Sequence, residues 1–253
     1  MKPYYDSIYL SPHLDDAALS CGGQIFAQTT TGQSVLVVTV MAGAVPDGEL
    51  SDFAAELHAR WELGADATAV RRAEDAAACA ILGADFLHWD VPDCVYRRSA
   101  VTGQPLYPTW PDVIDAVHPD ESALINQLAE CIAGLPGHGR LVAPLGVGRH
   151  ADHQVSRLAA ECAADGDLVY YEDFPYVREA GALTAVIPQD DANWQATAVP
   201  LQEEALAAKV EAIAAFVSQL STFFDGRADL AAQINAYAER VGGERLWHWM
   251  KTG

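Results

Sequence analysis

The sequence predicts an open, three-layer α/β fold with a mostly parallel central sheet. Short apolar runs that suit strands buried on both faces alternate along the chain with longer segments of helical periodicity. The clearest strand is 35–40, a continuous apolar and β-branched run. The clearest helical stripe has apolar residues at three- and four-residue spacing between Leu206 and Leu220.

Seven short runs are aliphatic or β-branched and are bounded by turn residues, as buried strands are. The predicted strands are 8–11, 35–40, 84–89, 141–144, 168–171, 182–187 and 196–201. The first and the fourth lead into polar loops, and a predicted helix follows each loop. The segment 244–249 is predicted to be a tail that forms an interface or plugs the core.

Seven helices are predicted from apolar residues that recur every three or four positions. They are 17–28, 51–63, 65–82, 121–133, 153–164, 203–220 and 230–241. Asp15 and Asp16 stand where the first helix begins, so one role for them is to cap it or to oppose its positive end. Gly22 and Gly23 predict close packing of this helix against the sheet. Together these elements predict a Rossmann-like architecture.

Composition limits the possible partners. A chain of 253 residues, about half of them apolar, suits one large domain, and we expect a single domain over 1–253. The formal charge is −20, so the surface repels phosphate backbones and anionic lipid. We therefore expect a small-molecule substrate and neither nucleic acid nor membrane insertion. A homo-oligomer is compatible with the sequence.

The absence of targeting segments and of paired cysteine motifs predicts the compartment of the protein and the redox state of its cysteines. Its first residues lack the basic start and apolar run of a signal peptide, and no apolar segment is long enough to cross a bilayer. A cytoplasmic protein is expected. The five cysteines are odd in number and never in C-x-x-C spacing, which predicts buried, reduced thiols and not a disulfide framework or a cysteine zinc site.

Two polar clusters are expected to meet at one edge of the sheet. The first, Ser11-Pro12-His13-Leu14-Asp15-Asp16, follows the first predicted strand, and the second, Gly148-Arg149-His150-Ala151-Asp152-His153, follows the fourth. Ligands of such sheets bind outside the carboxyl ends of the strands. Burying several carboxylates and imidazoles there is costly unless something compensates them, and a cation is the simplest candidate.

The residue types in these clusters fit a catalytic zinc site, which takes three protein ligands and leaves a position for water. His13 and Asp16 are three residues apart and can face one ion, and His153 can supply the third ligand. Asp15 would then lie beside the metal-bound water and accept its proton.

The second cluster also offers groups for the substrate. His150 would face the pocket without ligating, and Asp152 could hold it as an imidazolium with a raised pKa. A cationic His150 would stabilise the oxyanion of a tetrahedral intermediate or protonate a leaving amine. The set describes hydrolysis of an amide or an ester.

The two clusters resemble the motifs of the LmbE-like/PIG-L zinc de-N-acetylases, which are Pro-His-x-Asp-Asp near the N-terminus and His-Pro-Asp-His near mid-chain. Residues 12–16 match the first motif fully, and 150–153 match the second except at Ala151, where proline is usual. Members deacetylate N-acetylglucosaminyl phosphatidylinositol, thiol-cofactor glucosaminides, chitin oligosaccharides and glycopeptide-antibiotic sugars. The resemblance covers most of the chain in length and order.

The resemblance implies an LmbE-like deacetylase fold. It also implies a hydrolase that uses a zinc-bound water to remove an N-acyl group, most often acetyl, from an N-acetylglucosamine-type sugar or sugar conjugate. It implies His13, Asp16 and His153 as ligands of Zn2+, with another divalent metal as the alternative.

The resemblance also implies a role for each remaining polar group. Asp15 would be the general base and His150 the electrophilic or acid group, tuned by Asp152. More loosely, the substrate hydroxyls would be bound by Arg71, Arg72 and Asp93. An ion-paired surface explains those last three residues equally well.

Two further segments are expected to shape the pocket. The proline-rich span 91–119 is long for a connection without secondary structure, and connections of this length are usually functional or mobile. It carries aromatic and charged residues such as Trp110. The segment 170–176 lies at a strand end, where polar groups can reach a ligand.

Two other functions compete. The run Gly146-x-Gly148-x-x-Ala151 follows a strand, precedes a helix and has Glu172 about twenty residues on, which is a loose dinucleotide fingerprint and would indicate an NAD-dependent oxidoreductase. That interpretation leaves residues 12–16 without a role. A non-catalytic metal- or sugar-binding module would need the metal but not Asp15.

Overall fold

The strands and helices follow the predicted alternation. The computed structural model describes residues 1–61, 67–164, 168–189 and 191–250. Within these ranges the strands are β1 Tyr4–Tyr5, β2 Ser7–Ser11, β3 Val35–Thr39, β4 Asp85–His88, β5 Gly137–His138, β6 Leu141–Pro144, β7 Leu168–Tyr171, β8 Trp194–Val199 and β9 Glu244–Trp249. The helices there are α1 Asp16–Thr30, α2 Asp52–Trp61, α3 Ala67–Leu82, α4 Trp110–Val113, α5 Ser122–Ala133, α6 Ala151–Ala163, α7 Glu203–Ala214, α8 Leu220–Phe223 and α9 Arg227–Val241.

One seven-stranded sheet organises the molecule. Its order is β4-β3-β2-β6-β7-β9-β8, and β1 and β5 pair separately. The strands from β4 to β7 run parallel, whereas β9 is antiparallel to both β7 and β8. The chain moves from β2 outward to β4 and then returns to the other side of β2 as β6. Ligands of open parallel sheets bind at this kind of reversal, outside the carboxyl ends of the strands.

Helices cover both faces of the sheet and complete the three predicted layers. α1, α3 and α7 pack together, and α5 and α6 form a separate pair. Because crossovers between parallel strands are right-handed, the crossovers that leave β2 in opposite directions place their helices on opposite faces. Among the described helices, none is long and apolar enough to cross a bilayer.

Most predicted elements are confirmed, and strands 141–144 and 168–171 have their predicted bounds. The predicted strand 182–187 is wrong, because its backbone closes local turns, such as the bond from the Ile187 N–H to the Leu183 carbonyl. The predicted helix 203–220 ends at Ala214 and resumes as the separate helix α8. The junction predicted between helices 51–63 and 65–82 falls at 62–66, outside the described residues.

The predicted C-terminal tail is instead strand β9, and its first residue ties three elements together. Glu244 Oε1 accepts from Lys209 Nζ of α7 at 2.7 Å and from the Gly23 backbone N–H of α1 at 3.0 Å. Both charged side chains are buried. A Cβ on Gly22 would lie 3.1 Å from Lys209, and one on Gly23 would lie 2.4 Å from Leu201. The two glycines therefore allow α1 to approach α7 and the segment before it, whereas packing against the sheet was predicted.

The cysteines are all free, as predicted, but they are not all buried. Cys21, Cys79 and Cys94 lie in the interior, whereas Cys131 and Cys162 are exposed.

Glu244→Ala should lower the free energy of unfolding by about 3–5 kcal/mol, because it leaves the ammonium group of Lys209 buried without its partner. Urea denaturation measures the loss. Asp115→Ala is the matched control, since it breaks an exposed pair with Arg149 and should cost no more than about 1 kcal/mol. Equal losses in the two variants would contradict a structural role for the buried pair.

Candidate metal centre and active site

The two polar clusters meet at the reversal between β2 and β6. The first occupies the loop after β2 and the first residue of α1, and the second occupies the end of the loop after β6 and the first turn of α6. Each loop contains one non-glycine residue with positive φ, namely Asp15 at 143° and Arg149 at 59°. Such backbone is costly and persists where its surroundings enforce it, often at functional sites.

Ser11 holds the first loop in place. Its Oγ donates to the His13 carbonyl at 2.7 Å and accepts from the Ala17 backbone N–H at 3.0 Å. The Asp15 side chain makes no capping bond to α1, although Asp15 occupies the N-cap position. Asp16 Oδ2 accepts from the His13 backbone N–H at 2.8 Å. Helix capping therefore does not account for the aspartates, and the Asp15 carboxylate is left for another task.

One carboxylate oxygen lies close to two imidazole nitrogens. His13 Nδ1 and His153 Nε2 each lie 3.3 Å from Asp16 Oδ2. Donors about 2.1 Å from a tetrahedral divalent ion lie about 3.4 Å from one another, so this spacing matches a metal site. His153 Nε2 is also fully buried and has no hydrogen-bond partner. An orphaned imidazole nitrogen aimed at a carboxylate and a second imidazole is explained by a divalent metal that completes the group.

Other donors lie close enough to share an ion. His13, His150 and His153 offer ligand atoms within 4.8 Å of one another. Two further groups of the described residues satisfy the same criterion, Cys94 with His150 and Asp152, and His13 with Asp93 and Asp152. All three overlap the predicted site. They leave Asp16 and His150 as rivals for the third ligand position.

Each of the two histidines in the converging set is oriented by a carboxylate on its far side. His13 Nε2 donates to Asp152 Oδ2 at 2.9 Å, which leaves Nδ1 free to bind a metal. His153 Nδ1 donates to Asp173 Oδ1 at 2.6 Å, which leaves Nε2 free. Metal-binding histidines commonly have this carboxylate partner, which fixes the tautomer and the ring orientation.

Asp152 therefore has a different partner from the predicted one. Its carboxylate contacts His13, accepts from Arg97 Nη1 at 2.5 Å and accepts from the Cys94 backbone N–H at 2.9 Å. Burial raises the pKa of Asp152, but the Arg97 guanidinium and His13 outweigh it and hold that pKa below its usual value. Asp152 stays ionised as an acceptor for His13.

Asp173 was not named as a site residue, although it lies in the segment 170–176 that was expected to shape the pocket. It follows β7 by two positions, and its Oδ2 accepts from the Val147 backbone N–H at 2.8 Å. Its place after a buried parallel strand, at the same sheet edge as the two clusters, is the signal that could have identified it.

The surroundings of His150 favour its neutral ring over the cation that the sequence predicts. Burial lowers its pKa well below the usual value, and His13 lowers it further, while Asp152 opposes this only in part. Its Nδ1 accepts from the Asp152 backbone N–H at 3.3 Å and caps α6. The proton of the neutral ring therefore stands on Nε2, which can donate a hydrogen bond.

Asp15 carries a carboxylate suited to proton transfer. Burial raises its pKa to about 7, and Arg71, with Nη2 3.6 Å from Asp15 Oδ2, opposes that rise. Arg71 is itself anchored by its bond to the Leu14 carbonyl at 3.0 Å. A buried acid of this kind can exchange protons near neutral pH.

A cavity of about 260 Å3 opens over these groups. Arg71 and Asp93 line it, as predicted substrate contacts should. Arg72 does not, because its guanidinium bonds the Ala42 carbonyl at 2.6 Å and Asp90 at 3.1 Å. The aromatic wall includes Trp110 from the proline-rich span, together with Tyr176.

The structure removes the basis for a dinucleotide site. Glu172, the fingerprint acid, is buried and accepts bonds from Tyr237, Arg245 and Trp247. A Cβ on Gly148 would meet the Tyr176 side chain at 2.8 Å, so that glycine serves close packing. The turn therefore presents His150 and His153.

Comparison with known proteins gives the family. The model of the PIG-L family, described as GlcNAc-PI de-N-acetylase, matches residues 8–164. No curated protein matches the sequence.

Solved structures of deacetylases share the fold. The zinc-inhibited form of teicoplanin deacetylase is 26% identical with a TM-score of 0.81, and the alignment covers 98% of this chain and 99% of that one. The antimicrobial pseudoaglycone deacetylase Dbv21 is 27% identical with a TM-score of 0.74, and 98% of each chain is covered.

A more distant structure, N,N'-diacetylchitobiose deacetylase from Pyrococcus horikoshii, is 16% identical over 97% of this chain and 84% of that one, with a TM-score of 0.53, and supports the fold alone. The family match spans well over half of the sequence and includes both polar clusters. The chain belongs to the PIG-L family of de-N-acetylases and is a deacetylase.

Proposed function

We propose that the protein is a cytoplasmic, zinc-dependent hydrolase that removes the acetyl group from an N-acetylglucosamine-type sugar or sugar conjugate. The observation that carries this proposal is the placement of His13 Nδ1 and His153 Nε2 at 3.3 Å from Asp16 Oδ2, with the buried Nε2 of His153 left without a hydrogen-bond partner. The family match and the two similar deacetylases supply the reaction class.

Zinc would be held by His13 Nδ1, Asp16 Oδ2 and His153 Nε2. When bound, it supplies Lewis acidity and lowers the pKa of a coordinated water to about 7. One imidazole and one carboxylate come from the first loop and the second imidazole comes from the other, so folding brings the donor set together. The zinc-inhibited form of teicoplanin deacetylase is a similar protein that takes zinc, which supports a divalent metal at this site.

Asp15 is the general base in this proposal. Its carboxylate takes a proton from the water whose oxygen attacks the amide carbon. When the carbon–nitrogen bond breaks, the same carboxyl returns the proton to the leaving amine, so the products are acetate and the free amino sugar. The positive φ of Asp15 and the contact with Arg71 hold the side chain beside the donor cluster.

His150 would stabilise the negative charge that develops on the amide oxygen. A neutral imidazole with its proton on Nε2 donates a hydrogen bond without first needing to gain a proton. This favours an oxyanion donor over an acid for the leaving amine, which were the two roles that the sequence left open. Asp152 and Asp173 would act through the histidines that they orient.

Substrate binding would use the remaining wall of the cavity. Arg71 and Asp93 can bond sugar hydroxyls, and Trp110 and Tyr176 offer aromatic faces to a sugar ring. The charge of −20 disfavours an anionic substrate. A non-catalytic metal- or sugar-binding module is the second candidate, and the Asp15 variant described next separates the two.

Asp15→Asn should lower kcat for release of acetate from N-acetylglucosamine derivatives by about 100- to 10,000-fold, because the amide cannot accept the proton. Zinc content, measured by mass spectrometry, should stay at one ion per chain. Arg72→Gln is the matched control, because Arg72 does not line the cavity. Near-normal kcat in Asp15→Asn would exclude Asp15 as the base.

Asp16→Asn and His150→Ala should separate the rival ligands. Loss of the Asp16 charge should weaken zinc binding strongly, whereas His150→Ala should keep the metal and lower kcat by about 100- to 1,000-fold, as removal of an oxyanion donor does. Chelator competition and initial rates measure the two effects. Loss of zinc from His150→Ala, with retention in Asp16→Asn, would make His150 the third ligand.

Asp173→Asn should weaken zinc binding by about 10- to 100-fold, because the amide orients the His153 ring less firmly. At saturating zinc, kcat should recover to within a few-fold of the wild type. Asp115→Asn is the control, because Asp115 is an exposed acid whose ion pair is with Arg149 and not with a donor residue. Unchanged zinc affinity in Asp173→Asn would remove Asp173 from the orienting role.

A further inference from the structure

A small apolar recess opens beside Asp15, on the side of the site that α7 and α8 form. Its volume is about 10 Å3, roughly the space that one water-sized group needs. Its walls are almost wholly hydrocarbon and include Ile213, Phe216, Leu220 and Phe224.

The recess adjoins the catalytic cavity. Asp15, Gln219 and Phe223 line both spaces. The larger space holds the charged and hydrogen-bonding groups, among them His13, Asp93 and Arg71. A substrate bound at the donor cluster therefore faces a larger cavity that carries charged side chains on one side and a small apolar recess on the other.

We propose that this recess receives the methyl group of the acetyl moiety and restricts the enzyme to short acyl groups. The inference rests on the proposed N-deacetylase function. The two substituents of the scissile carbonyl differ in size and polarity, and so do the recess and the larger cavity. One is a small hydrocarbon and the other is an amine that carries a large polar sugar, so size and polarity together assign the methyl group to the recess.

The rigidity of the walls sets the limit on acyl length. Ile213 and Phe216 are 3% and 1% exposed and belong to the packed core, so displacing either side chain would disturb the packing around it. Leu220 lies in the short helix α8 and is only partly buried. Because α7 ends at Ala214, α8 forms this wall as a separate element. Leu220 is therefore the wall residue that can be replaced with least damage to the core.

Initial rates on N-formyl-, N-acetyl-, N-propionyl- and N-butyrylglucosamine, measured by release of the free amine, test the inference. The wild-type kcat/KM should fall by at least about 10-fold from acetyl to butyryl, since a misfit of a methylene or more is worth this much in a rigid pocket. Leu220→Ala should raise the butyryl-to-acetyl ratio by about 10-fold or more. Leu220→Phe should fill the recess and raise the formyl-to-acetyl ratio.

Val217→Ala is the matched control, because Val217 is in the same connection, is 76% exposed and does not line the recess. Its selectivity should equal that of the wild type. Zinc content and circular dichroism establish that each variant is folded, and selectivity changes in opposite directions in the two Leu220 variants cannot come from partial unfolding.

Two results would overturn the inference while the proposed function stands. They are a wild-type enzyme that hydrolyses the butyryl and acetyl substrates equally well, and Leu220 variants that keep the wild-type selectivity. A wild-type protein that binds zinc but releases no acyl group from any of the four substrates would overturn the proposed function, and the inference with it.

Discussion

The contact that joins the two loops is the one on which the site depends. Asp16 Oδ2, at the start of α1, lies 3.3 Å from an imidazole nitrogen of the loop before it and 3.3 Å from one in the first turn of α6. The loops are far apart in the chain, and they meet because β2 and β6 are neighbours where the strand order reverses. The sheet therefore positions the donors, and the local turns aim them.

The desolvation cost of burying so many ionisable groups must be offset, and ion pairs and hydrogen bonds between buried residues offset it. Arg97 is buried between Asp152 and Glu121, and Asp152 in turn holds His13. Burial lowers the pKa of His13, but the carboxylates of Asp152 and Asp16 outweigh it and raise that pKa well above its usual value. Protons and a metal would therefore compete for the same nitrogen atoms. The left-handed backbone of Asp15 adds a conformational cost.

In the proposed enzyme, the reacting groups and most of the walls of the acyl recess come from different parts of the chain. The family match, residues 8–164, contains the three converging donors together with Asp15, His150 and Asp152. Asp173, Tyr176 and the apolar walls contributed by α7 and α8 lie beyond it. An enzyme built in this way can keep its reacting groups while the later helices change the space around them. The break between α7 and α8 makes such a change possible in the proposed recess, because α8 forms part of its wall as a helix separate from the packed helix α7.

The sequence by itself determined the features that local spacing encodes. Aliphatic runs specified the parallel strands, and the positions of His13, Asp16 and His153 relative to strand ends predicted a shared site, because carboxyl ends of parallel strands meet at one edge. Only the tertiary structure decided how side chains pair across that edge. It turned Asp152 towards His13 and not towards the His150 ring, and it buried His150, which lowers the pKa of that ring.

The same limit of sequence patterns explains why the partners of Asp173 and Arg72 and the strand β9 were not predicted. Asp173 binds His153, Arg72 points to Ala42 and Asp90, and Glu244 reaches α1 and Lys209. A one-dimensional pattern reports which face of an element is apolar and which residues share a turn. It does not report the rotation of one helix against another, and that rotation decides which carboxylate meets which imidazole.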